Sequence, residues 1–196
     1  MKVTKRDEAI YSIDDVLAPR YYENLLEEFI PAHNNWVFRK KEWNAGSKDD
    51  KYPMWGNLQK ATNAVNKDAY TNSMLGDNHV LLNVGSIGTL IVGSILKKPV
   101  ELMRVNTNIQ FMGQESTFHT DGFPHEWTLN IFVSERWDGE WGGEFVCENS
   151  TGDYTGFPFK PNCAILFRAS LMHKGVAPNR FSPIERKTVA YTYREY

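Results

Sequence analysis

Past residue 100 the chain is a succession of short strand-like runs, each cut off by Gly, Pro, Asn or Asp. The runs fall near 100–111, 117–120, 127–133, 143–148, 163–168, 174–176 and 187–193. They predict a β-sandwich or jelly roll.

The first hundred residues read differently. A short strand is expected at 11–16. Pro19 suits the first turn of a helix that runs to Phe29, with Tyr22, Leu25, Leu26 and Phe29 on one face. Pro31 ends it. Alternation at 36–43 predicts a strand, and the polar stretch 46–53 a loop that, with Met54, Trp55 and Gly56, could form a lid. A second helix is expected over 80–97, stopped by Pro99. The predicted fold class is therefore mainly β with flanking helices, built on a double-stranded β-helix (jelly-roll, cupin-like) core. No linker or repeat divides the chain. One domain is expected over 1–196, with a helix-containing part at about 1–99 and the jelly-roll core at about 100–196.

Composition narrows the function. Basic and acidic residues number 22 and 24, a net charge of −2, so no cationic face drives binding to phosphate backbones. Two cysteines, Cys147 and Cys163, cannot form a disulfide framework or a four-cysteine zinc site. The first ten residues lack an apolar segment, and 80–96 reads as too short and too interrupted to span a bilayer. These features lead to the expectation of a cytoplasmic protein without membrane contact.

Three sequence features carry chemistry. His119 and Asp121 are separated by one residue, so in an extended chain both side chains point the same way. His173 follows after three or four strand candidates, and a jelly roll can bring it alongside. Two His and one carboxylate make the facial triad of non-haem Fe(II), which leaves metal positions open for other ligands. His125 competes as a ligand, but Phe123 and Pro124 direct it into a turn. Thirteen residues after His173 stands Arg186, a two-pronged donor suited to a dicarboxylate, with Thr188 on the same strand face.

The order His-x-Asp, His, Arg-x-Thr resembles the Fe(II)/2-oxoglutarate-dependent dioxygenases, and within them the prolyl-4-hydroxylase-type oxygenases. Gly113 lies six residues before His119. The run from Thr128 to Val133, then Trp137, then Gly142-Gly143-Glu144-Phe145, is similar to that family's approach to its core. The segment from His173 to Pro178 resembles its H-x-V-x-P.

The resemblance implies that His119, Asp121 and His173 bind Fe(II), and that 2-oxoglutarate chelates it with its far carboxylate on Arg186 and Thr188. It implies hydroxylation of a C–H bond with release of succinate and CO2, with ascorbate as a candidate reductant. The substrate would be a peptidyl proline, a free amino acid or another small metabolite. Asn108 and Gln110 stand where the family often has a Tyr that contacts the co-substrate, and Phe132 replaces another phenol. Asp121 argues against halogenation.

Two rival readings share the scaffold. DNA-alkylation-repair dioxygenases show an Asn-x-Tyr before the metal motif and an Arg pair six apart, as Asn108, Gln110, Arg180 and Arg186 do in part. A non-catalytic jelly-roll binding protein is the other. Phe111, Phe118, Phe132, Phe145 and Phe167 are candidate pocket aromatics. Trp127, Arg136, Trp141 and Arg168 are candidates for the mouth.

Overall fold

The structure is a computed structural model that describes residues 1–29, 37–39, 54–61 and 79–196, with 37–39 and 54–61 as backbone only. Its strands are β1 (Lys2–Asp7), β2 (Ile10–Asp14), β3 (Val37–Arg39), β4 (Met54–Ala61), β5 (Val100–Gln110), β6 (Glu126–Val133), β7 (Phe145–Glu148), β8 (Tyr154–Phe157), β9 (Ala164–Arg168), β10 (His173–Gly175) and β11 (Arg186–Glu195). Helix α1 covers Pro19–Glu27 and α2 covers His79–Leu96.

Eight strands form one antiparallel sheet in the order β1-β2-β9-β6-β11-β5-β4-β3, and three form a second in the order β10-β7-β8. After β6 the chain passes from one sheet to the other and back, which makes the double-stranded β-helix. The expected loop-to-lid segment is corrected at its end: Met54, Trp55 and Gly56 lie in β4 and pair with β3 and β5. Residues 46–53, most of the strand expected at 36–43 and Pro31 lie outside the described residues.

The large sheet has two different faces because strand residues alternate. From β6, Trp127, Leu129, Ile131 and Val133 join Val105, Ile109, Val189, Tyr191 and Tyr193 in an apolar cluster with Leu25 of α1 and Leu81, Val84 and Val92 of α2. The predicted face of α1 packs here: Leu25 and Phe29 are buried, with Tyr22 and Leu26 against the same cluster. The Tyr22 hydroxyl donates to Ser134 O at 2.8 Å and accepts from Ser134 N at 2.9 Å, pinning the helix to the end of β6. On the opposite face Phe132 and Phe167 pack with Phe145, Cys147 and Phe157 of the small sheet.

Helix α2 stops before Pro99 acts. Lys97 takes a left-handed backbone, φ 55°, and Lys98 N donates to Gly93 O at 3.2 Å, closing the last turn as a Schellman cap does. By length and mean hydropathy, 1.7, α2 would reach across a bilayer, so the expectation of a stretch too short and mixed is not what describes it. Its glycine-bearing face lies on β11 instead. A Cβ at Gly88 would overlap the Tyr193 hydroxyl, which donates to Gly85 O at 2.8 Å.

This close approach predicts a coupled pair. Gly88→Ala should destabilise the protein by about 1–3 kcal/mol, the usual range for overpacking. The cost should shrink in the Tyr193→Phe background, where the offending oxygen is gone. Urea unfolding of the four proteins in the double-mutant cycle measures the coupling.

Candidate metal and co-substrate site

The sheet face opposite the helices is polar where it meets the open end of the sandwich. In register across β5, β11 and β6 lie Gln110 and Arg186, then Asn108, Thr188 and Phe132, then Asn106, Ala190 and Asn130. Together with His119, Asp121 and His173, all of these but Phe132 border one open cavity.

The two histidines are joined by main chain. His119 N donates to His173 O at 3.0 Å and His173 N to His119 O at 2.9 Å. The strand expected at 117–120 is reduced to this single bridge, since 111–125 otherwise runs without strand pairing. Each imidazole is oriented in the same way: His119 Nδ1 lies 2.8 Å from Thr117 O and His173 Nδ1 2.9 Å from Leu171 O. A carbonyl can only accept, so each Nδ1 carries a proton and Nε2 is the nitrogen left for a metal. Asp121 reaches the same point, with Oδ2 at 3.6 Å from His173 Nε2. One ligand atom from each of the three residues lies within 4.8 Å of the others.

Electrostatics keep these groups in metal-binding form. Burial pushes the Asp121 carboxyl up, but His173, Arg104, His119 and the Thr128 hydroxyl outweigh it and hold the group at about 2. Burial pushes His173 down to about 4, against the pull of Asp121, so its imidazole is neutral at pH 7. The neutral His173 imidazole, a second imidazole and an ionised carboxylate make a donor set of the kind that Fe(II) takes in a facial triad.

Arg186 stands at the other end of the cavity and is 2% exposed. Its Nε donates to Gly143 O and its Nη1 to Gln110 Oε1, both at 2.8 Å. Its guanidinium carbon sits 5.7 Å from the Phe132 ring and 5.3 Å from that of Phe159. Nη2 is buried with no hydrogen-bond partner. Among the described residues no carboxylate forms an ion pair with it, and burial pushes its pKa down to about 10 against the pull of Glu144 and Glu115. A buried cation with a spare donor is a receptor for an anion.

The sequence-predicted residues thus converge: His119, Asp121, His173, Arg186, Thr188, Gln110 and Asn108 all border one cavity. Gln110 has a different role from that expected. Its Oε1 is taken by Arg186, and its Nε2 donates to Gln114 O and Gly175 O at 3.0 and 3.1 Å. It orients the arginine rather than offering a donor to a ligand.

Phe145 and Phe167 line the cavity, as expected. Phe132 backs Arg186, Phe118 packs on Tyr154, and Phe111 is exposed. Trp127 is corrected: it is buried on the helix side, beneath Arg168. Arg136, Trp141 and Arg168 do not line the cavity either. His125 sits on an exposed turn, stacked on Phe123. Arg180, half of the Arg pair in the DNA-repair reading, is exposed and lies over Phe181. Sequence reading missed Arg104 and Ser116. Arg104 looks like any strand cation until the fold sets it beside Asp121. Ser116 joins the site through hydrogen bonds with Gly175.

No protein-family model matches the sequence, and no curated protein matches it. Solved structures do. A 2OG-Fe(II) oxygenase family oxidoreductase from Burkholderia pseudomallei superposes with a TM-score of 0.70 at 15% identity, covering 97% of this chain and 87% of that one. The viral collagen prolyl hydroxylase of Paramecium Bursaria Chlorella virus-1 gives 0.62 at 15% identity, over 96% and 97%. The non-haem alpha-ketoglutarate-dependent epimerase SnoN of nogalamycin biosynthesis gives 0.67 at 12% identity, over 97% and 77%. The chain therefore has the fold of the 2-oxoglutarate/Fe(II) oxygenases, a fold that carries more than one reaction.

Gly175 is needed for the arginine's placement. A Cβ there would lie 2.9 Å from Gln110 Oε1 and 3.0 Å from Arg186 Nη1. Gly175→Ala should separate this pair and lower stability by about 1–3 kcal/mol. The same substitution in a Gln110→Ala background should cost less, which a chemical-denaturation comparison will detect.

Proposed function

We propose that this protein is an Fe(II)- and 2-oxoglutarate-dependent oxygenase that hydroxylates a C–H bond of a peptide, an amino acid or another small metabolite. One observation carries the reading. One cavity has three metal-ligand atoms within 4.8 Å of one another at one end and, at the other, a buried guanidinium whose Nη2 has no hydrogen-bond partner among the described residues.

His119 Nε2, an Asp121 oxygen and His173 Nε2 would hold the iron. Arg186 would take the far carboxylate of 2-oxoglutarate, with the Thr188 hydroxyl beside it in the sheet. Asn108, paired with Thr188 across the strands, has an amide that would add a donor in the Tyr's stead. Once bound, iron and co-substrate supply the oxidising chemistry and give succinate and CO2, while the protein supplies placement.

Gln110, Phe132 and Phe159 keep the guanidinium at one height in the cavity. Phe145 and Phe167 pack beside His173, with ring centroids 5.5 and 4.5 Å away, and shield that side from water. Both cysteines are free thiols, which suits the reducing cytoplasm we assign to the protein.

Two results follow from this assignment. Metal binding should vanish in His119→Ala or His173→Ala, because two remaining ligands cannot compete with water. Anaerobic Fe(II) titration of the three proteins checks it, and unchanged affinity in either variant would refute the triad.

The second concerns the co-substrate. With Mn(II) present, 2-oxoglutarate should raise the melting temperature of the parent protein. Arg186→Ala should abolish most of that shift, since a carboxylate buried without its cation loses on the order of 3–5 kcal/mol. Arg186→Lys should restore only part of it, for want of the fork. Activity itself is read as succinate release coupled to ¹⁸O incorporation from ¹⁸O₂ across a panel of peptides and amino acids.

A further inference from the structure

We propose that Arg104 is a positioning residue of this centre: with Thr128 it clamps the Asp121 carboxylate so that Oδ2 is presented to the metal and Oδ1 is held away from it. The inference rests on the metal-binding role proposed for His119, Asp121 and His173.

Asp121 needs such a clamp. It follows the His119 bridge in a segment without strand pairing, where its main chain is tied by Asp121 N donating to Ala169 O at 2.8 Å. Its side chain is held from the sheet floor. Arg104 of β5, Thr192 of β11 and Thr128 of β6 are direct cross-strand neighbours and form one row under Asp121.

The two outer members of the row each take one carboxylate oxygen. Arg104 Nη2 lies 3.2 Å from Oδ1, and Thr128 Oγ1 donates to Oδ2 at 2.9 Å. The same Nη2 donates to the main-chain oxygen of Asp121 at 3.1 Å. One nitrogen thus grips both backbone and side chain of a single residue, which fixes the torsion between them. Met103 is an extra residue in β5, since Arg104 pairs with Thr192 and Leu102 with Tyr193. Such a bulge re-aims the neighbouring side chain.

The division of the oxygens has a chemical meaning. Oδ2 is the oxygen that faces His173 Nε2. It gives one lone pair to Thr128 and keeps another for the metal. Oδ1, held by the guanidinium, is not free to become a second ligand atom. A carboxylate limited to one contact leaves three positions of an octahedral ion open, the number that a bidentate co-substrate and oxygen together require.

Two roles for Arg104 can be told apart by sign. A positive charge beside a metal ligand, acting only as a charge, weakens the hold on a cation, so its removal would tighten binding. A clamp strengthens the hold by preorganisation, so its removal loosens binding.

The test is Co(II) titration of the metal-free full-length protein, followed by the visible d–d bands, with His173→Ala as the non-binding control. Arg104→Gln should raise the Co(II) dissociation constant about 10- to 100-fold, the range for residues that support metal ligands. It should also change the d–d bands as Oδ1 enters the coordination shell. Arg104→Lys keeps the charge and most of the stem but ends one atom short of the place of Nη2, and should fall between parent and Arg104→Gln. Affinity equal to or tighter than the parent with unchanged bands in Arg104→Gln overturns the proposal. Should thermal melting show that variant unfolded, Arg104→Lys decides: parental affinity and bands overturn the clamp, a weakened site with altered bands supports it. Failure of the parent itself to bind Co(II) brings down the metal reading and the clamp together, whereas binding by the parent and by Arg104→Gln alike brings down the clamp alone.

Discussion

A strand buried on both faces must serve two environments with alternate residues, and β6 is such a strand along its whole length. Its odd-numbered positions, Trp127, Leu129, Ile131 and Val133, enter the apolar layer under the helices. Its even-numbered positions, Thr128, Asn130 and Phe132, face the other sheet and the cavity. A slip of one residue would bury Thr128 and Asn130 among Leu and Val and push three large apolar side chains into the site. Everything else is registered to this choice. β11 pairs with β6 from Lys187 to Arg194, and its Arg186 and Thr188 reach the cavity only in that register.

The polar face is costly to build, and the way its groups are satisfied divides the cavity into two ends. At one end Asp121 is surrounded by two imidazoles, a guanidinium and a hydroxyl, which together override its burial. At the other end Arg186 touches a carbonyl, an amide and two aromatic faces, and burial outweighs the pull of Glu144 and Glu115. One end thus holds an ionised carboxylate already in place, and the other is positive with a donor left over. A metal ion answers the first and an anionic ligand the second. On the proposed function, 2-oxoglutarate would reach both from within one cavity.

Much of this layout is legible in the sequence, and the reasons differ by element. The jelly-roll core follows from its strand rhythm, and the face of α1 from the spacing of Tyr22, Leu25, Leu26 and Phe29. The triad and Arg186 are readable because extended chain fixes side-chain direction whether or not a strand forms. What sequence cannot give is what pairs with what. β8 falls outside every strand run expected from sequence, and is a strand because β7 pairs with it. Met54–Gly56 look like the tail of a loop until β5 offers them an edge. Gln110 reads as a ligand donor until its amide is seen to be used at both ends. Arg104 carries no local signal at all, since its importance comes from a cross-strand row and a bulge.

The pairing of the two histidines shows how the fold turns such contacts into geometry. His119 and His173 lie on segments joined by two main-chain hydrogen bonds, and each ring is anchored to the carbonyl two residues before it. The same local device is used twice across one bridge, so the two Nε2 atoms are set by backbone rather than by long side-chain contacts. Imidazoles held in this way lose little further freedom when they take up an ion, and the ordering of the centre is done largely by the fold. The carboxylate is the exception, for it hangs from an unpaired segment and is steadied only from the sheet beneath. That asymmetry explains why the polar row of Arg104 and Thr128 sits under Asp121, while no comparable row is needed beneath the imidazoles.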